Sequence, residues 1–245
     1  MKFIGLIPVR LNSKRLRKKA LLNIEGYPMI IHTLKRSLLS KKLDRVIVCT
    51  DSILIKSIVQ RYGGECFLTS KKHKNGTERI AEVANKIKSD FYIDIQGDEP
   101  LIDPKHIDKL ISFHQNNKEF DIVVPYLEIK KNISDNNIVK IISSNNKVVY
   151  FSRHNNPCYF NSKSKFLKKH LSIISFKKDS LLNFAKFKQS HLEKIESIEL
   201  MRAIENSQKV GTFRLKGDSF SVDVKKNYNS AKKLMKNDKI FKKYK

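Results

Sequence analysis

The residues best suited by type to do chemistry lie in two short stretches, each following an apolar run. After Phe3–Val9 come Arg10, Ser13, Arg15, Arg17, Lys18 and Lys19, with no further glycine until Gly26. A dinucleotide fingerprint or a Walker A loop needs glycines so that backbone amides can close on phosphate, and that spacing is absent. Cationic side chains can grip a triphosphate instead, arginine through its planar fork and lysine as a point charge. The competing reading is a solvated basic surface, which a lysine-rich chain produces without any function. The second stretch, Gln96-Gly97-Asp98-Glu99-Pro100, follows Phe91–Ile95. Magnesium prefers oxygen ligands and is usually held by one or two carboxylates plus substrate phosphates, so an acidic turn opposite a basic loop suits a nucleotide. Alternatively the turn is an ordinary one with helix-capping acids; Asp103 is better explained as the cap of the next helix.

These stretches need elements to bring them together. Phe3–Val9, residues 46–50 and Phe91–Ile95 are short apolar runs that read as buried strands. Segments of helical spacing lie between and after them. Pro28 opens one carrying Ile30, Ile31, Leu34 and Leu38, and Ser52 can cap another carrying Ile55, Ile58, Val59 and Tyr62, with Gly63 and Gly64 as its stop. A third carries Ile80, Val83, Ala84 and Ile87, and a fourth starts at Asp103-Pro104 and carries Ile107, Leu110 and Ile111. Alternating strands and helices predict an α/β fold with a mostly parallel sheet covered on both faces. Ligands of such sheets sit beyond the carboxyl ends of the strands, which directs attention to the loops after Val9, Leu68 and Ile95. From about residue 122 the pattern turns β-rich, at 121–127, 139–142, Lys147–Ser152 and 171–176, and predicts a smaller β-rich lobe. Helical spacing returns at 192–205, and 231–241 predicts a closing basic amphipathic helix.

At 245 residues the chain suits one α/β domain with a small appendage. Cys49, Cys66 and Cys158 are widely separated and lack C-x-x-C spacing, so they suggest neither disulfides nor a zinc site and fit a reducing cytosol. The opening residues read as a strand rather than a signal peptide, and no run approaches the roughly 20 apolar residues of a membrane span. The 50 Lys and Arg against 24 Asp and Glu give a net charge of +26, which taken alone suggests nucleic acid or an acidic membrane surface. Lysines are nevertheless scattered along the whole chain, and the densest cluster is residues 225–245 rather than a recognition element. The expectation is therefore no nucleic-acid and no membrane partner, with a basic nucleic-acid-binding protein kept as the remote alternative.

Read in order, several segments resemble the CMP-Kdo synthetases (3-deoxy-manno-octulosonate cytidylyltransferases). IPVRLNSKRLRKKALLNIEGYPMIIH is similar to that family's opening, a strand followed by A-R-x-x-S-x-R-L-P-x-K-P-L and G-x-P-M-I. KNGTER resembles S-G-T-E-R, and FYIDIQGDEPLI contains the family's Q-G-D-E-P. NIVKII and VVYFSR resemble N-x-V-K and Y-F-S-R; KKHLSIISF, HLEKIESIELMR and FSVDV fall where the family has R-H-L-G-I-Y-G-Y, L-E-x-x-E-x-L-E-Q-L-R and V-D-T. The blocks keep the family's order over nearly the entire chain.

The resemblance implies a Rossmann-like nucleotidyltransferase fold in a single domain, with 1–125 and 205–245 as nucleotide-binding core and 126–204 as a smaller lobe for the sugar acid and dimer contacts. It implies transfer of CMP from CTP to 3-deoxy-D-manno-octulosonate (Kdo) for lipopolysaccharide synthesis, with Mg²⁺ as cofactor, in a cytoplasmic homodimer. Arg10, Ser13, Arg15 and Lys19 are implied to bind the CTP phosphates, with Lys19 stabilising charge on the reacting group. Gly76, Thr77 and Arg79 are implied around the nucleotide, Asp98 and Asp223 as the catalytic metal-binding pair, and Gln96, Arg153, His170 and Glu199 around the sugar acid. Residues 220–224 are expected to return as a strand that carries Asp223 to Asp98. Without the resemblance, Asp223 reads as a surface residue, and Glu193, Glu196 and Glu199 as one solvated helix face. There are departures. Arg17-Lys18 replaces Pro-Gly, Asn75 replaces the serine before G-T-E-R, and Val224-Lys225 replaces T-P. Ile174 stands where the family has tyrosine and Leu200 where it has glutamine, each losing a polar handle. Since a pocket built to pair a hydroxyl selects very differently from an apolar one, a sialic-acid-like or amino-substituted Kdo sugar is the alternative acceptor.

Overall fold

The computed structural model describes residues 1–13, 15–130, 135–157, 166–219 and 221–245. The first half alternates strands and helices: β1 (Phe3–Val9), the small hairpin β2 (Asn23–Ile24) and β3 (Tyr27–Pro28), α1 (Met29–Leu38), β4 (Arg45–Thr50), α2 (Ile53–Arg61), β5 (Glu65–Leu68), α3 (Gly76–Lys86), β6 (Phe91–Ile95) and α4 (Pro104–Asn116). The second half runs β7 (Ile122–Lys130), β8 (Lys140–Ser144), β9 (Lys147–Ser152), β10 (Phe166–His170), β11 (Ile173–Lys177), α5 (Lys178–Lys186), α6 (His191–Glu196), α7 (Met201–Glu205), β12 (Val210–Arg214) and α8 (Lys225–Lys236).

Among the described residues ten strands form one sheet in the order β10-β8-β9-β12-β7-β11-β6-β1-β4-β5. The four strands that the alternating half gives to this sheet, β5, β4, β1 and β6, pair in parallel, and so do β7 and β12. β11 lies antiparallel between β6 and β7 and joins the two parallel groups. The β-rich segments of the second half are thus continuous with the main sheet. The central strands β1 and β6 are apolar at nearly every position and buried on both faces, as parallel strands between helices must be. Ile30, Ile31, Leu34, Ile107 and Leu110 pack on one face, and Ile80, Val83, Ala84, Leu181 and Phe184 on the other.

Local signals set the helix starts. Ser52 accepts from the Ile55 amide, Asn75 from Glu78 and Asp103 from Lys105, so each satisfies a first-turn donor. The segment 192–205 is two short helices rather than one. Ser197, with φ of 53°, ends α6, and the Arg153 guanidinium donates to the freed carbonyls of Glu196 and Ser197 (both 2.8–2.9 Å). The glutamates expected on a solvated face are instead engaged: Glu193 pairs with Arg202, and Glu196 accepts from Tyr150, Ser152 and the Arg153 amide. The closing helix starts earlier and stops earlier than its apolar spacing suggests, docking through Tyr228, Ala231 and Met235 onto Ile24 and Met29. Residues 221–224 form no strand; Phe220 and Cys158 lie outside the described residues.

Candidate active site

The carboxyl ends of β1 and β6 and the start of α3 converge on a cavity of about 380 Å³. Arg10, Ser13, Arg15, Lys19, Gly76, Arg79, Gln96, Asp98 and Asp223 all line it. The centre is Lys19, whose Nζ donates to Asp98 Oδ2 (2.5 Å) and to Asp223 Oδ1 (3.0 Å). Arg15 Nη2 adds a 2.8 Å bond to the same Asp223 oxygen. Burial lowers the Lys19 pKa, and the two carboxylates outweigh it, leaving the ammonium above its ordinary value. Residues 98 and 223, distant in sequence, are therefore held by one cationic group.

Backbone shape makes this approach feasible. The Val222 amide donates to the Asp98 carbonyl (2.9 Å), which brings the segment before α8 against the Gln96–Glu99 turn. A Cβ at Gly97 would lie 2.9 Å from the Pro8 carbonyl oxygen, and one at Gly76 would lie 3.2 Å from Pro8 Cγ. Both glycines let neighbouring loops close on the end of β1. Ser13 shapes its own turn, since its hydroxyl donates to the Leu16 carbonyl and accepts from the Lys19 amide. Arg79, buried on α3, is tied to Asp51 (2.9 Å) and Thr69, so it braces the loops after β4 and β5 as well as facing the cavity.

The residues assigned to the sugar acid are placed differently. Gln96 lines the main cavity, and its Nε2 donates to both oxygens of Asp94 (2.9 Å each). Glu199 lines an adjoining cavity of about 630 Å³, which shares Lys74 and Asn75 with the first. Thr77 is buried and lines neither cavity, and Glu199 Oε1 is shielded without a partner. Burial pushes the Glu199 pKa up to about 7. His170, the last residue of β10, has a shielded Nε2 without a partner, and burial with nearby Lys169 pulls its pKa down to about 4. Arg153 spends its guanidinium on the carbonyls of Glu196, Ser197 and Asn136. Arg153 and His170 line neither cavity.

Sequence reasoning passed over Asp94, Glu99, Asp51 and His73. Asp94 is buried in β6, and burial first, then Glu199, raises its pKa well above the carboxylate range. The signal was available: a carboxylate inside the apolar run FYIDI, two residues before Gln96. His73 lines the main cavity and bonds Glu82 (2.7 Å), a contact no spacing rule foretells.

The donor set fits a magnesium ion. Two carboxylates from separate elements face one point, the oxygen-only chemistry such an ion takes when phosphates and water complete its shell, and the Lys19 ammonium marks that point as a seat for positive charge. Among the described residues no group of three or more His, Cys, Asp or Glu side chains could enclose a metal, so substrate oxygens would have to supply further ligands.

A mixed α/β sheet with parallel β1, β4, β5 and β6, and a cationic glycine-poor loop and two carboxylates gathered beyond the ends of β1 and β6, suits a nucleotidyltransferase. Residues 4–210 match the family model described as Cytidylyltransferase, and the chain belongs to that family. It is 37% identical to the 3-deoxy-manno-octulosonate cytidylyltransferase of Chlorobium phaeobacteroides, with 97% of this chain and 98% of the relative covered. The enzyme of the same name from Fusobacterium nucleatum is also 37% identical, over 98% of this chain and 99% of its own. Among solved structures, a CMP:2-keto-3-deoxy-manno-octonic acid synthetase complexed with CTP superposes with a TM-score of 0.92 at 30% identity, covering 96% of this chain and 99% of that one. A cytidylyltransferase from Leptospira borgpetersenii, 17% identical at a TM-score of 0.69, shares the fold.

Proposed function

We propose that this chain transfers CMP from CTP to Kdo and releases pyrophosphate. The observation that carries the reading is the convergence of Lys19, Asp98 and Asp223 beside the loop bearing Arg10 and Arg15, in a chain whose full-length relatives bear the name of that activity. The 2-hydroxyl of the sugar acid attacks the α-phosphorus of CTP in line; the new O–P bond forms as the bond to the β-phosphate oxygen breaks, and pyrophosphate leaves. Asp98 and Asp223 would hold a magnesium ion, which when bound neutralises triphosphate charge and polarises the reacting oxygens. Arg10 and Arg15 grip the phosphates, and Lys19 would meet the charge that builds on the departing group. Gly76 keeps α3 close to the end of β1, and Thr77 and Arg79 brace the nucleotide wall behind it. Gln96 and Glu199, which line the two cavities, are read as orienting the acceptor's hydroxyls, and Arg153, bound to the carbonyls at the end of α6, as holding the wall beside Glu199; His170, outside both cavities, is given no contact with the acceptor.

A different 2-keto sugar acid is the second acceptor reading. Ile174 and Leu200 are buried at 7% and 6% exposure in the apolar core, and offer no polar handle there. We also propose a cytoplasmic homodimer that meets through 126–204, a region with Val149 exposed at 52%; light scattering of the purified protein reads that state. Purified protein given CTP, Mg²⁺ and a panel of sugar acids should release pyrophosphate fastest with Kdo. Release with every sugar acid absent, or with none of them, sinks the reading.

A further inference from the structure

The segment that delivers Asp223 to the site lacks a strand's ladder of hydrogen bonds, so something else must fix it. The backbone contact available is the bond from the Val222 amide to the Asp98 carbonyl. Beneath it lies Glu99, the residue after Asp98 and only 2% exposed. Its carboxylate accepts from the Ser219 hydroxyl at Oε2 (2.6 Å) and from the Ser221 hydroxyl at Oε1 (2.7 Å). Ser221 and Asp223 flank Val222, which is buried in the core; Ser221 meets Glu99 while Asp223 meets Lys19. From the other flank, Lys169 Nζ donates to the Ser219 carbonyl (2.5 Å), and Asn227 Oδ1 accepts from the Asp223 amide (3.3 Å).

A buried carboxylate is costly unless hydrogen-bonded, and one satisfied by two hydroxyls of a single incoming segment returns that cost only when the segment is docked. We infer that Glu99 is a positioning residue: through Ser219 and Ser221 it clamps the segment carrying Asp223, and so sets the distance between the two carboxylates that share one cation. The inference rests on the proposed reading of Asp98 and Asp223 as the magnesium pair. Glu99 does not line the substrate cavity, and its two serine partners both lie on the segment that carries Asp223.

The test compares wild type, the Ser219→Ala/Ser221→Ala double variant and Glu99→Gln. Two readouts need no turnover: amide hydrogen exchange across 221–224, and Mn²⁺ binding followed by the free-ion signal. Turnover adds a third, the Mg²⁺ concentration for half-maximal rate against KM for the sugar acid. The double variant is expected to exchange about tenfold faster in 221–224 with β1 and β6 unchanged, and to bind Mn²⁺ about tenfold more weakly, the effect of losing one or two hydrogen bonds to a charged group. Its Mg²⁺ requirement should rise while KM for the sugar acid stays. Glu99→Gln, whose amide can still accept one hydroxyl and donate to the other, should restore both within about threefold. Loosening of 221–224 with unaltered Mn²⁺ affinity, or no loosening at all, overturns the clamp. A double variant that loosens β1 and β6 equally shows a general structural role and also overturns it. Wild type that, with CTP present, binds no Mn²⁺ beyond what CTP alone takes up overturns the metal-pair reading itself, a result distinct from failure of the clamp alone.

Discussion

The two halves of the site handle buried polarity in opposite ways. At the ends of β1 and β6, opposite charges satisfy one another: Lys19 sits between Asp98 and Asp223, and Arg15 completes the cluster. Around Glu199 and His170, polar atoms are shielded from water without partners, and burial drives both groups toward their neutral forms. A shielded acceptor without a donor costs free energy, on the order of 1–3 kcal/mol. The first half is therefore satisfied as it stands and must exchange partners to work, whereas the second keeps its titratable groups toward neutrality by burial rather than by pairing.

Removing the cation tests the first half most severely. Lys19→Met should lower pyrophosphate release by about 10³, the scale of a lost charge-stabilising group, and should tighten Mn²⁺ binding to the nucleotide-free protein, because the ammonium no longer competes for the carboxylates. Steady-state kinetics and a Mn²⁺ titration read both; weaker metal binding would mean that Lys19 is a structural tie rather than a placeholder.

Glu199→Gln probes the second half. The folded pKa of Glu199, about 7, exceeds the ordinary 4.5. Its contribution to stability is thus fully present below the unfolded value and is lost as pH rises through the folded one. The amide cannot ionise, so the variant should be more stable than wild type above pH 7, by on the order of 3 kcal/mol, and the gap should close toward pH 4.5. Its KM for the sugar acid should rise, and the ionisation near neutrality should leave the KM profile. Thermal midpoints at the two pH values and a pH–KM series check this.

Arg153→Ala should act on both stability and acceptor binding. Loss of its bonds to the Glu196 and Ser197 carbonyls frees the end of α6 next to Glu199, so KM for the sugar acid should rise roughly tenfold with KM for CTP little changed. Smallest of the set, Ile174→Tyr with Leu200→Gln should shift the preference among sugar acids by a few-fold, about 1 kcal/mol; a competition assay reads it, and unchanged preference would remove those positions from the specificity argument.

The sequence was most informative where periodicity and capping act locally. Phe3–Val9 and Phe91–Ile95 appear as strands with those bounds, and Ser52 and Asp103 cap the helices expected of them. The cationic loop and the Asp98 turn share one sheet edge because parallel strands put their carboxyl ends together. What stayed hidden depends on contacts between distant residues. Glu193, Glu196 and Glu199 have the spacing of a wet face, yet Arg202 and Arg153 draw the first two inward and Ser197 breaks the helix between the second and the third. Residues 221–224 approach Asp98 without becoming a strand; the Ser221 hydroxyl donates to the Glu99 carboxylate and the Val222 amide to the Asp98 carbonyl. Nothing local in the sequence named the buried carboxylate that Ser221 meets.

A double-mutant cycle on Asp98→Asn and Asp223→Asn, read in pyrophosphate release with CTP, Mg²⁺ and Kdo, addresses the shared cation most directly. If both carboxylates hold one ion, either change alone should cost nearly the full effect and the pair little more. Independent losses that simply multiply, or undiminished release by either variant, would contradict a common seat for the cation.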